Sequence, residues 1–253
     1  MPVVFVGHGS PMNAIEENPW SEGFRALGAA LPRPKVILCV SAHWVTPGTF
    51  VTGQAKPPTI HDFGGFPPAL SRVQYPAPGA PEAAARVAAL VGGAPNDAWG
   101  FDHGSWSVTR HMWPDADVPL IQLSLDGHRS PAEHVALARK LAPLRDEGFL
   151  ILGSGNATHN LRDAFRHLGD DRAATPAWAA RFDEVVTKAF DAVDPDALAR
   201  AAATDDGRMA HPTPDHFWPM LYPLAAAAPG ERVAYPITGF SAGSLSMRAV
   251  TIG

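Results

Sequence analysis

With 253 residues, 46% of them apolar and 18% charged, the chain has the composition of a folded globular protein and not of a disordered one. Its formal net charge of -5 offers no basic face for nucleic acid, so small molecules or another copy of the chain are the expected partners. One cysteine, Cys39, excludes an intrachain disulfide and sits within an apolar run, where it reads as a small buried hydrophobe in a reducing compartment. Met1 leads almost at once into the apolar run 3–6 (VVFV), with no basic leader before it. No apolar stretch approaches the roughly 20 residues of a membrane helix, so no membrane association and a cytoplasmic location are expected. A helix follows over 18–31, with Trp20, Phe24 and Leu27 at helical spacing, and stops before "PRP". The second apolar run is 36–40. Residues 53–81, dense in Pro and Gly but carrying Phe63, Phe66 and Tyr75, read as an ordered cover loop. An Ala-rich helix is expected over 81–91, with Pro81 in its first turn. The third apolar run spans 118–125. Ser130, Pro131 and Glu133 form a capping box opening a helix to about Arg145. The fourth run is 149–152, and a helix over 176–190 follows. Two more strands, in "RVAYPI" and "SMRAVTI", close the chain.

Continuous rather than alternating apolarity in the four runs marks strands covered on both faces, and their alternation with helices predicts one α/β domain over 1–253. Ligands in such folds gather beyond the carboxyl ends of the strands. Of the 11 histidines, three stand at those ends: His8 after the first run, His43 after the second, and His159 shortly after the fourth. A fourth, His216, is expected at a helix start, with Thr213 as cap and Pro214 in the first turn. Imidazoles gathered at one point call for a cation, and neutral imidazole suits Fe, Zn, Cu and Ni. Neither CxxC nor HExxH occurs. The residues therefore predict a mononuclear histidine-rich metal site at the strand ends. His61 and His103, each beside an aspartate, read either as loop-fixing Asp–His contacts or as groups supporting the ligands or facing substrate. His211 reads as exposed; His111, His128, His134 and His167 read as surface residues. Asp126 is the carboxylate rival for a coordination position.

The motifs "GHGSPMNAI", "VSAHW", "PPTIHDFGGFP", "YPAPG", "WGFDHGSW", "GSGNATHNL" and "HPTPDHFWPMLY" together resemble the class III extradiol ring-cleavage dioxygenases, which include protocatechuate 4,5-dioxygenase. Within them the DOPA 4,5-dioxygenase branch is the nearest match, from residue 3 to "GSLSM". The resemblance implies a mixed central sheet with helices on both faces, and a divalent metal near the strand ends. It implies metal ligands at His8, His43 and His216. It also implies that His159 is the acid–base group, with a near-neutral pKa and a fourth coordination position open to it, and that His103 meets substrate or dioxygen. His61 is placed with the substrate. A superfamily glutamate ligand is replaced here by His216, which leaves Fe(II) as the ion expected for turnover and Zn as a second ion suited to the site.

The implied reaction opens the ring of a catechol such as DOPA with dioxygen. The chelated catecholate binds better than the neutral diol because the cation stabilises the phenolate. A homo-oligomer is compatible with the sequence. Alternatives are a zinc hydrolase, since histidine ligands with an open position activate water, and a non-catalytic metal-binding or signalling protein on the same fold. A serine hydrolase fails because "LGSGN" lacks the leading glycine of GxSxG. Lys56 and Arg72 are candidate partners for substrate charges, with solvated charges as the competing reading.

Overall fold

In the computed structural model, which describes residues 1–170 and 173–253, the four apolar runs become adjacent strands of a six-stranded sheet. The strands are β1 (Val3–Gly7), β2 (Val36–Ser41), β3 (Leu120–Gln122), β4 (Phe149–Gly155), β5 (Val233–Ile237) and β6 (Ala249–Ile252), in the order β3-β2-β4-β1-β6-β5. β1, β4, β2 and β3 run parallel, while β6 is antiparallel to both β1 and β5, so the sheet is mixed as expected. Ser154 lies opposite Val6 on one side and Ser41 on the other. That register brings the carboxyl ends of β1, β4 and β2 level at one edge.

Side chains alternate across these strands into two cores. Val3, Phe5, Leu38, Val40 and Ile151 face one, and Val4, Val6, Ile37, Cys39, Leu150 and Leu152 face the other. The first core is closed by helices α2 (Pro81–Val91), α4 (Pro131–Arg139), α5 (Ala177–Asp191) and α6 (Trp218–Ala226). The second is closed by α1 (Pro19–Ala30) and α3 (His103–Met112). Each large apolar side chain taken out of water contributes roughly 1.5–3 kcal/mol, and Cys39 is fully buried among them. Asn18 caps α1 by accepting from the backbone of Trp20 and Ser21, and Ser130 and Glu133 form the reciprocal box that opens α4. Among the described residues, no helix is long and apolar enough to cross a membrane.

Four expectations are corrected. The run 118–125 does not form one strand: β3 stops at Gln122, and Leu125–Asp126 pairs separately with Val45–Thr46. The helix expected to reach Arg145 ends at Arg139 and resumes as a 3-10 turn over Ala142–Arg145, because Pro143 has no N–H to continue an α-helix. His134, expected on the surface, is fully buried under α6, its Nδ1 2.8 Å from the Tyr222 hydroxyl and its ring against Trp218. His111 is likewise half-buried, with Nε2 2.8 Å from the Asn13 carbonyl.

Burial, reinforced by Arg129, pushes the His134 pKa down to about 4. The unfolded chain, with a value of about 6.5, therefore binds a proton first as the pH falls. Stability from this group is complete above about pH 6.5 and is lost as the pH falls toward 4. Urea titrations from about pH 7.5 to about pH 4.5 should show the wild type losing some 2–3 kcal/mol more than His134→Gln. Parallel losses in the two proteins would remove His134 as the source.

Candidate metal centre

His8 leaves β1 with its backbone N–H donating to Gly155 O at 2.9 Å. Gly7 is needed there because a Cβ would lie 2.6 Å from Ser246 O, and Gly9 turns the chain away at a φ of +63°. His43 stands two residues beyond β2, where the Ser41 hydroxyl accepts its N–H at 3.2 Å. His159, beyond β4, donates its backbone N–H to Ala210 O at 2.9 Å. His216 does not open a helix capped by Thr213. It lies in a turn in which Pro214 O accepts the N–H groups of Phe217 and Trp218, and α6 begins at Trp218 with no side-chain cap. The approach of α6 to β4 depends on two glycines. A Cβ on Gly153 would lie 2.2 Å from Pro219 O, and one on Gly155 2.3 Å from His216 O. "GSG" is thus a docking surface for the segment carrying His216. Gly155→Ala should weaken metal binding at least tenfold and lower stability by about 1–3 kcal/mol, as read by zinc titration and thermal melting; wild-type zinc affinity would contradict this reason for the glycine.

His103 opens α3, a helix not foreseen because the stretch reads as a loop between glycines. Asp102 caps it, accepting from Ser105 N at 3.1 Å. Fully buried, Asp102 also accepts from the Ser41 hydroxyl and Gln122 Nε2, each at 2.7 Å. It therefore ties the His43 turn to the start of the His103 helix. Burial, then the charge of Asp62, push its carboxyl pKa up.

These elements bring five imidazoles together. The ring centroids of His8, His43 and His216 form a nearly equilateral triangle of 5.1, 5.0 and 5.2 Å. His103 lies 3.8 Å from His43 and 5.7 Å from His8, and His159 stacks on His216 at 3.4 Å and 3°. An imidazole nitrogen about 2.1 Å from a divalent ion puts its ring centroid about 3.2 Å away, so three such ligands have centroids about 5.2 Å apart at tetrahedral angles and about 4.5 Å at octahedral ones. The His8–His43–His216 triangle fits. Donor nitrogens of His8, His43 and His103 lie within 4.8 Å of one another, but the unequal ring spacings make His103 the poorer third ligand.

Hydrogen bonding supports the same three rings. The Ser154 hydroxyl donates its only proton to Gly104 O, so toward His8 Nδ1, 3.0 Å away, it can only accept. His8 therefore carries its proton on Nδ1 and presents a bare Nε2. His43 faces Asp62 Oδ2 with Nδ1 at 3.4 Å, and His216 faces Asp215 Oδ2 with Nδ1. Such partners fix the tautomer that leaves Nε2 free for a metal. The Nε2 atoms of His8 and His43 are 3.2 Å apart. Two lone pairs facing at that distance repel unless a cation lies between them. Without one, the repulsion stands as a cost of the metal-free site, because Asp62 keeps the His43 proton on Nδ1.

Burial, compounded by neighbouring imidazoles, holds the His8 and His216 pKa values well below the ordinary one. Burial and His103 bring His43 down to about 3 against the opposing pull of Asp62. All three are neutral at pH 7, the form that binds metal. Burial takes His159 to about 4, lower than the near-neutral value expected, although Asp215 opposes it. For Asp62 burial acts upward, but the hydrogen bond and charge of His103, together with His43, leave it below the usual carboxylate range.

The cover loop is ordered. Tyr75 is buried with its hydroxyl donating to Trp113 O at 3.0 Å, and Phe63 packs 5.6 Å from His103. His61 lies outside the cluster, beyond Phe63, and its Nε2–H donates to Val73 O at 2.9 Å. His211 is not exposed as expected: its Nε2 is 3.1 Å from Asn156 O and its ring packs on Phe182 and Phe217. Asp126 is taken up by Gly48 N, His128 N and Arg129. Lys56 and Arg72 are exposed. Ser154, Asp62 and Asp215 were not singled out from sequence, although each stands within a quoted motif, two of them next to a histidine.

A family model described as the catalytic LigB subunit of aromatic ring-opening dioxygenase matches residues 2–241. A 4,5-DOPA dioxygenase extradiol of Escherichia coli (strain K12) is 46% identical over 260 residues, covering 100% of this chain and 95% of that one. Its namesake from Beta vulgaris is 34% identical over 252 residues, covering 96% and 92%. The crystal structure of an uncharacterized protein from Escherichia coli K12 superposes with a TM-score of 0.86 at 41% identity over the full length of both chains. The family match takes in five of the six strands of the sheet and all 11 histidines, and the chain belongs to the family of catalytic LigB subunits of aromatic ring-opening dioxygenases.

Proposed function

We propose that the chain is a non-haem, metal-dependent extradiol dioxygenase that cleaves a catechol ring with dioxygen, with DOPA opened at the 4,5 bond as its substrate. The triangle of His8, His43 and His216, each ring with a partner on Nδ1, carries the reading. The relatives' names point to DOPA. In this account the three rings hold the ion through Nε2, Fe(II) for turnover and Zn as a competitor for the same seat. When bound, the ion supplies the positive charge that favours catecholate over diol and the redox partner for dioxygen. His159, neutral at pH 7, accepts the proton of the second hydroxyl and returns it to the opened product. His103 faces the oxygen side, and Phe63, backed by His61, walls the ring and excludes water. Residues 1–253 act as one catalytic domain, and the buried thiol of Cys39 suits the cytoplasm. The substrate assignment is tested with Fe(II)-reconstituted protein on a catechol panel. DOPA should be turned over at least tenfold more efficiently than protocatechuate or caffeate; the reverse ranking would reject DOPA while leaving ring cleavage in place.

A further inference from the structure

We infer that Asp62, carried by the cover loop, is a positioning residue that sets the tautomer and aim of His43 and His103 together. One carboxylate meets three N–H groups. Oδ1 accepts the backbone N–H of His103 at 2.9 Å, while Oδ2 lies 3.0 Å from His103 Nδ1 and 3.4 Å from His43 Nδ1. An ionised carboxylate only accepts, so both Nδ1 atoms facing it carry the proton and both Nε2 atoms keep their lone pairs. Asp62 Oδ2 and His103 Nδ1 are buried and have no aligned hydrogen-bond partner among the described residues, so the 3.0 Å charge contact between them is what offsets their desolvation. Other carboxylates near the cluster are engaged elsewhere, Asp102 with Ser41 and Gln122, and Asp215 with His216.

The loop presents Asp62 rigidly. On its amino side, Ile60 N donates to Phe101 O at 2.7 Å and Ile60 O accepts from Trp106 Nε1 at 2.8 Å. His61 is pinned to Val73 O. This gives His61 a physical task even though its ring stays outside the cluster: it fixes the backbone next to Asp62. A loop distant in sequence from both histidines thus decides which nitrogen each one shows to the site, and metal affinity depends on that loop being seated.

The effect on affinity rests on His43 being a ligand; the tautomers do not. Asp62→Asn keeps the shape and one acceptor oxygen. The His103 backbone N–H cannot shift its proton whereas an imidazole can, so the amide oxygen stays on the Oδ1 side and the NH2 faces the two Nδ1 atoms. In nitrogen-15 histidine spectra of the metal-free wild type, His43 and His103 should both be Nδ1–H tautomers, and in Asp62→Asn at least one should become Nε2–H. Zinc affinity should fall about 10- to 100-fold, with the thermal midpoint within a few degrees of wild type. A simple loop tether predicts the opposite order, with Asp62→Asn near wild type and only Asp62→Ala impaired, and that result would overturn the inference. So would Nε2–H tautomers in the wild type, a measurement needing no variant to fold. If His43→Ala bound zinc normally, the ligand assignment would fall, while the wild-type tautomers would still decide the role of Asp62.

Discussion

His43→Ala, like His8→Ala, should lose its metal. The proposed site offers three protein nitrogens, and apparent binding energies of closed four-ligand zinc sites, about 10–16 kcal/mol, correspond to roughly 3 kcal/mol per ligand. Removing one should lower affinity a hundredfold or more, enough to empty the site at ordinary buffer concentrations. The loss should come with a gain in metal-free stability. His8 and His43 sit with Nε2 atoms 3.2 Å apart in a largely buried cluster, and burial has driven both of their pKa values far down. Taking one ring away removes the facing lone pairs. Elemental analysis that finds either variant fully occupied would refute its place in the ligand set.

His159→Ala should behave in the opposite way. Its ring is stacked flat on His216, so its removal should leave most of the metal bound. What goes is the proton acceptor at the catechol hydroxyl, worth about 10²- to 10⁴-fold in turnover. The loss should appear in kcat more than in KM, because the chelating oxygens still find the ion. Unchanged ring cleavage by this variant would end the acid–base role; loss of metal parallel to that of His43→Ala would make His159 a ligand instead.

The parts of this account differ in how far they could be read from sequence, for physical reasons. His8, His43 and His159 were legible because doubly covered strands write themselves as unbroken apolar runs, and a parallel sheet levels the ends of those runs at one edge. His216 was legible as a residue but not in its aim. Its direction is set by Gly153 and Gly155, which admit α6 against β4, an approach between segments far apart in the chain. Asp62 was hidden because it comes from an irregular loop, where no periodicity says which side chain turns inward. His103 was read in a loop because glycine and serine follow it, whereas the Asp102 cap makes that stretch a helix. His134 looked like a surface residue on a short helix until α6 was laid over it.

In the proposed reaction the imidazole triangle holds an ion with which dioxygen splits a catechol ring. The most direct test is dioxygen uptake by protein reconstituted anaerobically with Fe(II) and then given DOPA and oxygen-18 gas. One dioxygen should be consumed per catechol, with both labelled atoms in the ring-opened product and no uptake by the zinc-loaded protein. No uptake by fully iron-loaded protein with any catechol, or oxidation to a quinone with the label released as peroxide or water, would contradict it.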